Sequence, residues 1–346
     1  MTGRERILRA VRRQVPDRVP VTLAYGHIDE LCRLSGHPEM IGKLRQDQQT
    51  VEFHPGRLRP EQLGPYVGEA PPGVNFDDWG IGWYSSSTAA TSGFIHPLAN
   101  ATSAEEVRHF PFPDLTERWR HEDLERDVAA LHAQGVAAVG QMSQTIFEVA
   151  MLMRGVQRLL VDFLESPALV TTLLDRITDV RCFQAKRLAQ AGVDILRLGD
   201  DIGSQRGMIM SPGTWRRWLK PRLRRVIESA AAVRPDLPIK YHSDGNVKAI
   251  IPELCEVGVT ILNPVQPEAM DPAALKQAYG QRLAFWGTIG TQSLLPFGTP
   301  EQVRSTVRFM VRTVGEGGGL VLAPTHSIEP DVPWDNILAF YEAAEG

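Results

Sequence analysis

The sequence predicts an α/β protein, a (β/α)8 TIM barrel with N-terminal insertions over its mouth, on three observations. From residue 136 short β-prone runs alternate with helical patterns to the C-terminus, with no break in composition. Chemically capable side chains follow nearly every expected strand: Gln141, Gly199-Asp200-Asp201, His242-Ser243-Asp244-Gly245, Asn263-Pro264-Val265-Gln266, Gly287-Thr288 and Pro324-Thr325-His326. The length of 346 residues, 43% hydrophobic and 23% charged, suits either two modest domains or one large barrel, and the unbroken alternation selects a single domain over 1–346. An open doubly wound sheet would gather its functional groups at one switch point, whereas a barrel collects them from all its βα loops on one rim.

Thr2 stands three residues before Glu5 as a capping box, and Ile7, Leu8 and Val11 share one helical face, so a short helix opens the chain. Pro16 ends it, and 18–23 reads as a first strand carrying Tyr25, Gly26 and His27 just past its end. The stretch 30–135 is weakly patterned and rich in Pro, Gly and aromatic residues; it reads as an irregular lid, with 77–87 as a hairpin or extended segment. Strands are then expected at 136–140, 194–198, 239–241, 259–262, 283–286 and 320–322. Between them Pro167–Ala191 is a long amphipathic helix, Ser211-Pro212 and Thr299-Pro300-Glu301 are caps with proline at the first helical position, and Pro333 opens the last helix. The basic run 216–225 has the apolar spacing of a solvated amphipathic helix, kinked at Pro221. Met208, Met210, Trp215 and Trp218 read as core. The glycine cluster 315–319 precedes a strand instead of following one, so it is a helix terminator and turn, not a phosphate loop.

Composition excludes several classes. With 41 acidic against 37 basic residues and a net charge of −4, no sustained basic face is available to release counterions, so nucleic acid is not an expected partner. Cys32, Cys182 and Cys255 are scattered, odd in number and form no CxxC, which fits a reducing cytoplasm and neither a disulfide framework nor a cysteine-rich zinc site. No secretory h-region and no apolar run of about 18 residues occurs, so neither export nor a membrane span is expected.

His242-x-Asp244 and His326 form the sharpest constellation, since two imidazoles and a carboxylate from two loops of one rim can surround a divalent cation such as zinc. The alternative is that the histidines orient substrate or exchange protons without metal. Asp200 and Asp201 are candidate catalytic carboxylates; adjacent strand-end residues point apart, so one can face the cavity while the other caps a turn or helix. Glu148, among apolar neighbours at the start of a helix, is a third catalytic candidate with an expected raised pKa. His27, Tyr84, Gln141 and Gln266 are the expected contacts to a small-molecule substrate, with Trp79 and Trp83 beside them under the lid.

The stretches RERILRAV, PDRVPV, FEVAMLMRG, DILRLGDDIGSQRGMIMSPGTWRRWLKP, IKYHSDGN, GVTILNPVQPEAMDPAALKQAYG, FWGTIGTQSLLPFGTPEQV and GGLVLAPTHSI, in that order, resemble the uroporphyrinogen decarboxylase superfamily, which also holds zinc-dependent methyltransferases acting on methylcobamides and thiols. The resemblance implies a (β/α)8 barrel. The arginine-rich MRQAGR-like motif with which true uroporphyrinogen decarboxylases bind propionates has no counterpart, and NFDDWG is only loosely similar to the loop that carries their aspartate, at Asp77 or Asp78. Where the methyltransferase branch has His-x-Cys and a later Cys as zinc ligands, the matching positions read His242, Asp244 and His326, a harder and less electron-rich set. The resemblance therefore implies a metal-dependent methyl or alkyl transferase acting on a small substrate, with a corrinoid, carried on a corrinoid protein, or a thiol as acceptor. A metal-free decarboxylase and a non-catalytic tetrapyrrole or corrinoid binder are the alternatives. The expected assembly is a homodimer.

Overall fold

Short apolar strands buried on both faces, separated by amphipathic helices, give this chain a parallel sheet packed against helices. The computed structural model describes residues 1–346 except 24–27, 41, 43, 45, 57–59, 69–72, 86–91, 143 and 346. Its strands are β1 (Gln48–Val51), β2 (Asn75–Phe76), β3 (Gly82–Ser85), β4 (Ser92–Ile95), β5 (Ala137–Gln141), β6 (Ile195–Gly199), β7 (Ile239–His242), β8 (Ile261–Asn263), β9 (Ala284–Trp286) and β10 (Leu320–Val321). A seven-stranded, curled parallel sheet runs β1-β5-β6-β7-β8-β9-β10, and β2-β3-β4 form a separate antiparallel sheet. The six strands expected after residue 136 are all present, within two residues at their starts and ends.

Two expectations for the first third differ from the structure. The segment 18–23 makes an isolated parallel bridge, Val21 to Leu322, not a full strand. Its hydrogen bonds are Thr22 N–H to Leu322 O (2.9 Å) and Leu322 N–H to Pro20 O (2.9 Å), and Pro20, having no N–H, interrupts the ladder. The region read as a lid supplies β1, which pairs with β5 inside the main sheet; Gln-Gln-Thr-Val has no apolar alternation to announce it. The 77–87 segment contributes to the β2–β3 hairpin as expected.

The first helix, Gly3–Val11, carries the expected capping box between Thr2 and Glu5 and buries Ile7, Ala10 and Val11. These pack with Ala137, Val139, Ile195, Ile261, Ala284, Trp286, Val321 and Ala323, the inner face of the curled sheet, while the alternate strand residues Ala138, Leu196, Leu198, Tyr241, Leu262 and Phe285 pack outward with the helices. The basic run resolves into two helices, Pro212–Trp218 and Lys220–Ala231, broken at Leu219 with Pro221 in the first turn of the second. Met210, Trp215 and Trp218 are buried, as expected of core. Among the described residues no helix is long and apolar enough to cross a membrane.

Candidate active site

Following the inner face along the strands toward their C-terminal ends, the apolar layer gives way to polar side chains. Gln141, Arg197 and Lys240 stand in register across β5, β6 and β7, and Gly199, His242 and Asn263 form the next row across β6, β7 and β8. Lys240 is buried with Nζ 3.7 Å from the centre of the Trp286 ring, a cation–π contact, and Trp286 Nε1 donates to Thr22 Oγ1 at 3.1 Å. Burial, and then the neighbouring Arg197 charge, holds the Lys240 ammonium well below its ordinary pKa. Gly199 has no tolerable alternative, because a Cβ there would run into the backbone of His242.

His242 has a defined tautomer. Asn263 Nδ2 donates to the Trp286 carbonyl (2.9 Å), so Asn263 Oδ1 faces His242 Nδ1 at 2.8 Å and must accept its proton. Burial, and then the Arg197 charge, pushes the imidazole pKa well down and keeps it neutral. Nε2 is thus left with a lone pair, and it lies 3.7 Å from Asp201 Oδ1 and 3.8 Å from Asp244 Oδ1. One ligand atom each from Asp201, His242 and Asp244 fall within 4.8 Å of one another. Two carboxylates around an imidazole whose other nitrogen is held by an amide are a donor set that could hold a divalent ion.

The loops lock this group. Asp201 N–H donates to Glu148 Oε2 (3.1 Å), and Asp244 N–H donates to Asp201 Oδ1 (2.8 Å), so β6, β7 and the helix Phe147–Arg154 are tied by carboxylates. Glu148 is pushed up to about 9 by burial and then by the Asp200 and Asp201 charges, and is a protonated acid at neutral pH. Asp244 rises to about 6, through burial and then Asp201. Asp200 points the other way. Its carboxylate accepts the N–H groups of Ile146 (2.9 Å) and Glu148 (3.0 Å) and caps the helix that has no cap of its own.

Two cavities meet at His326. One, of about 200 Å³, is lined by Gln144, Glu148, Arg197, Gly199, Asp201, His242 and His326. The other, of about 330 Å³, is lined by Asp244, Gln266, Thr291, Gln292, Thr325, His326, Ser327 and Glu329. The structure therefore places Glu148, Asp201, His242, Asp244, Gln266 and His326 on the walls of two cavities that share His326. Asp201 joins the His242–Asp244 group, while His326 lines the cavities without joining that closest cluster. Gln141 sits one layer deeper, its Oε1 accepting from Arg197 Nη1 at 3.1 Å. Tyr84 is 39% exposed on β3 and lines neither cavity, and His27 lies outside the described residues. Sequence reasoning missed Arg197 and Gln144, and placed Asn263 at a strand end without assigning it a role. The signal for Arg197 and Asn263 was a polar residue at an inner position of an otherwise apolar strand; Gln144 adopts a left-handed φ of 55°, which nothing in the sequence announces.

A model of the uroporphyrinogen decarboxylase (URO-D) family matches residues 126–346, well over half of the chain. The chain belongs to that family. Within it, the chain is similar to the methylcobamide:CoM methyltransferase MtaA of Methanosarcina barkeri, with 29% identity over 172 residues, 50% of this chain and 47% of that protein. It is also similar to the uroporphyrinogen decarboxylase of Hordeum vulgare, with 24% identity over 180 residues and 52% of each. The aligned region thus spans about half the length of these curated relatives. A methyltransferase from Methanosarcina mazei has the same fold, with a TM-score of 0.66 at 20% identity over 100% of this chain and 98% of that one.

Proposed function

We propose that this protein is a metal-dependent methyl or alkyl group transferase acting on a small substrate. The observation that carries the reading is His242 Nε2, fixed as an acceptor by Asn263 and set between the carboxylates of Asp201 and Asp244. Its similarity to a methylcobamide:CoM methyltransferase supports the reaction class. Zinc would be held by His242, Asp244 and Asp201, with His326 facing the same space, and when bound would supply a Lewis acid to the group that is transferred. The chain's own residues then have separate tasks. Glu148, a protonated acid on the cavity wall, donates a proton to the atom the methyl group leaves. Asp200 positions Glu148 through the helix start, and Gln266 orients substrate or acceptor from the second cavity. Gln141 supports Arg197 from below. The oxygen- and nitrogen-rich ligand set favours a corrinoid, presented by a corrinoid protein, over a thiol as acceptor.

Segment 20–22 acts as an eighth strand that closes the sheet into a barrel, supported by its bonds to Leu322 on one side and by Asp47 N–H to Val21 O (3.3 Å) on the other. Residues 30–135 then form the mouth of a single barrel domain around the β1 they contribute.

A second reading, decarboxylation without metal, is favoured by the same protonated Glu148 and by the similarity to uroporphyrinogen decarboxylases. One experiment separates the two. The protein, purified without chelator, is assayed for zinc, then incubated with a panel of methyl donors plus a corrinoid acceptor and separately with uroporphyrinogen, each against His242→Ala. Zinc near one per chain and methyl transfer lost in the variant are expected. Decarboxylated porphyrins lost in the variant, without metal, would overturn the transferase.

A further inference from the structure

We infer that Gln144 is the substrate-recognition group of the smaller cavity, and that it selects a compact molecule presenting a hydroxyl or a primary carboxamide, a neutral group that both donates and accepts. Gln144 lines that cavity together with Glu148, Asp201 and His242. Among the described residues its carboxamide has no hydrogen-bond partner, so an NH2 and a C=O are presented side by side to an entering ligand. Its backbone sits in the left-handed region at a φ of 55°, which glycine would adopt without penalty. Arg13 is the other non-glycine residue of positive φ among those described, and it lines neither cavity. The neighbours of Gln144 hold this conformation. Buried Arg181, on the helix Pro167–Ala191, donates through Nη2 to the Gln144 carbonyl (2.9 Å) and through Nε to the Thr145 carbonyl (3.2 Å), with its guanidinium 4.9 Å from the centre of the Trp79 ring. Thr145 N–H donates to Gly199 O (2.8 Å), and Gly199 N–H donates to Thr145 Oγ1 (2.8 Å). The loop is thus tied to the end of β6 and to a helix, and a glutamine is kept at a strained position where its side chain meets the cavity.

A carboxamide discriminates through both of its edges. An ether oxygen or a carboxylate uses only its NH2, an ammonium uses only its C=O, and a hydroxyl or primary amide uses both. An edge left unmatched in a small cavity forfeits a hydrogen bond, and a site built to bond a hydroxyl rejects the analogue that lacks it. The Arg197 guanidinium on the same wall is offset by Asp201 and Asp244, so charge pairing with the ligand is not part of this recognition. The cavity volume of about 200 Å³ limits the ligand to a compact one, below drug-sized molecules.

That the recognised molecule carries the methyl group rests on the transferase reading, whereas the recognition itself does not. Methoxyethanol, methoxyacetamide and the acceptor-only dimethoxyethane are titrated calorimetrically into the full-length protein and into Gln144→Gly, with and without zinc. The side-chain amide signals of glutamine-labelled protein are followed in parallel by nuclear magnetic resonance. Methoxyethanol or methoxyacetamide should bind saturably and shift the signals that are missing from Gln144→Gly, the tighter of the two naming the head group. Dimethoxyethane should bind more weakly by about fivefold or more, the loss of one hydrogen bond. Gln144→Gly should erase that discrimination and melt within about 3 °C of the wild type or above it, because glycine relaxes the left-handed backbone and leaves the carbonyl to Arg181. Equal affinity of the wild-type protein for all three molecules, no saturable binding of the alcohol or the amide, unchanged discrimination in Gln144→Gly, or a larger fall in its melting temperature would overturn the inference. The wild-type comparison needs no variant to fold. Discrimination lost in Gln144→Gly, with no methyl reaching a corrinoid or thiol acceptor, sinks the transferase reading alone; methyl transfer whose preference for methoxyethanol or methoxyacetamide over dimethoxyethane survives Gln144→Gly sinks this inference alone.

Discussion

Replacing Asn263 tests the geometry on which the metal centre depends. Its side chain accepts from His242 Nδ1 (2.8 Å) and donates to the Trp286 carbonyl (2.9 Å), and the two partner residues are 7% and 1% exposed. Asn263→Ala leaves two buried polar groups unpaired at about 1–3 kcal/mol each, so the variant should lose about 2–6 kcal/mol of stability. It also frees the imidazole to exchange tautomers, which places a proton on Nε2 for part of the time and should weaken zinc binding by about 10–100-fold. Asn263→Asp separates the two effects. A carboxylate still accepts from Nδ1 and holds the tautomer, but it cannot donate to Trp286, so stability should fall while zinc affinity is kept. Urea unfolding of the zinc-free proteins gives the first quantity and competition against a calibrated chelator gives the second. Stability of Asn263→Ala within about 0.5 kcal/mol of wild type, or equal zinc affinities in all three proteins, would show that Asn263 does not set the histidine.

Arg154 and Asp162, both nearly inaccessible, form a buried ion pair, and Arg154→Met strands a carboxylate; urea unfolding should show a loss of about 3–5 kcal/mol, with a loss below about 1 kcal/mol counting against the pairing. Glu253 is held down to about 2 by its hydrogen bonds with Arg216 and Lys220, so its contribution is present above its ordinary value of 4.5 and is lost as pH falls from there toward about 2. Thermal melts of wild type and Glu253→Gln should therefore differ by about 1 kcal/mol or less after solvent screening at neutral pH and converge at the acid end; a gap that widens on acidification would contradict the linkage. Zinc uptake, which requires a neutral imidazole and ionised carboxylates, should weaken as pH drops, and uptake followed by a metal indicator that strengthens in acid would exclude these ligands.

What was legible in the sequence follows from which signals are local. The strands after residue 136 announced themselves because apolar runs bounded by turn residues are short-range patterns, and the capping box at Thr2 and Glu5 is a four-residue signal. Strand β1 escaped because its residues are polar and its placement depends on pairing with β5, far along the chain. The division of labour between Asp200 and Asp201 was legible only as the statement that neighbours point apart. Which of them caps a helix and which faces the cavity is decided by where Ile146 and Glu148 arrive from another loop. Arg197 was hidden by its context, since an arginine in Ile-Leu-Arg-Leu-Gly reads as an interruption of a buried strand until inner and outer faces are assigned.

The groups that line the two cavities all lie between Gln144 and Glu329, within the part of the chain that matches the family model. Among the described residues, the first 125 include the helix Gly3–Val11 packed on the inner face, strand β1 and the antiparallel sheet, whose Trp83, Tyr84 and Phe94 are partly exposed. Innovation in such a protein has a cheap direction. Insertions and substitutions among those early residues can reshape who is admitted without disturbing who reacts, so descendants of one ancestral chemistry can diversify their clientele while inheriting the same reactive centre.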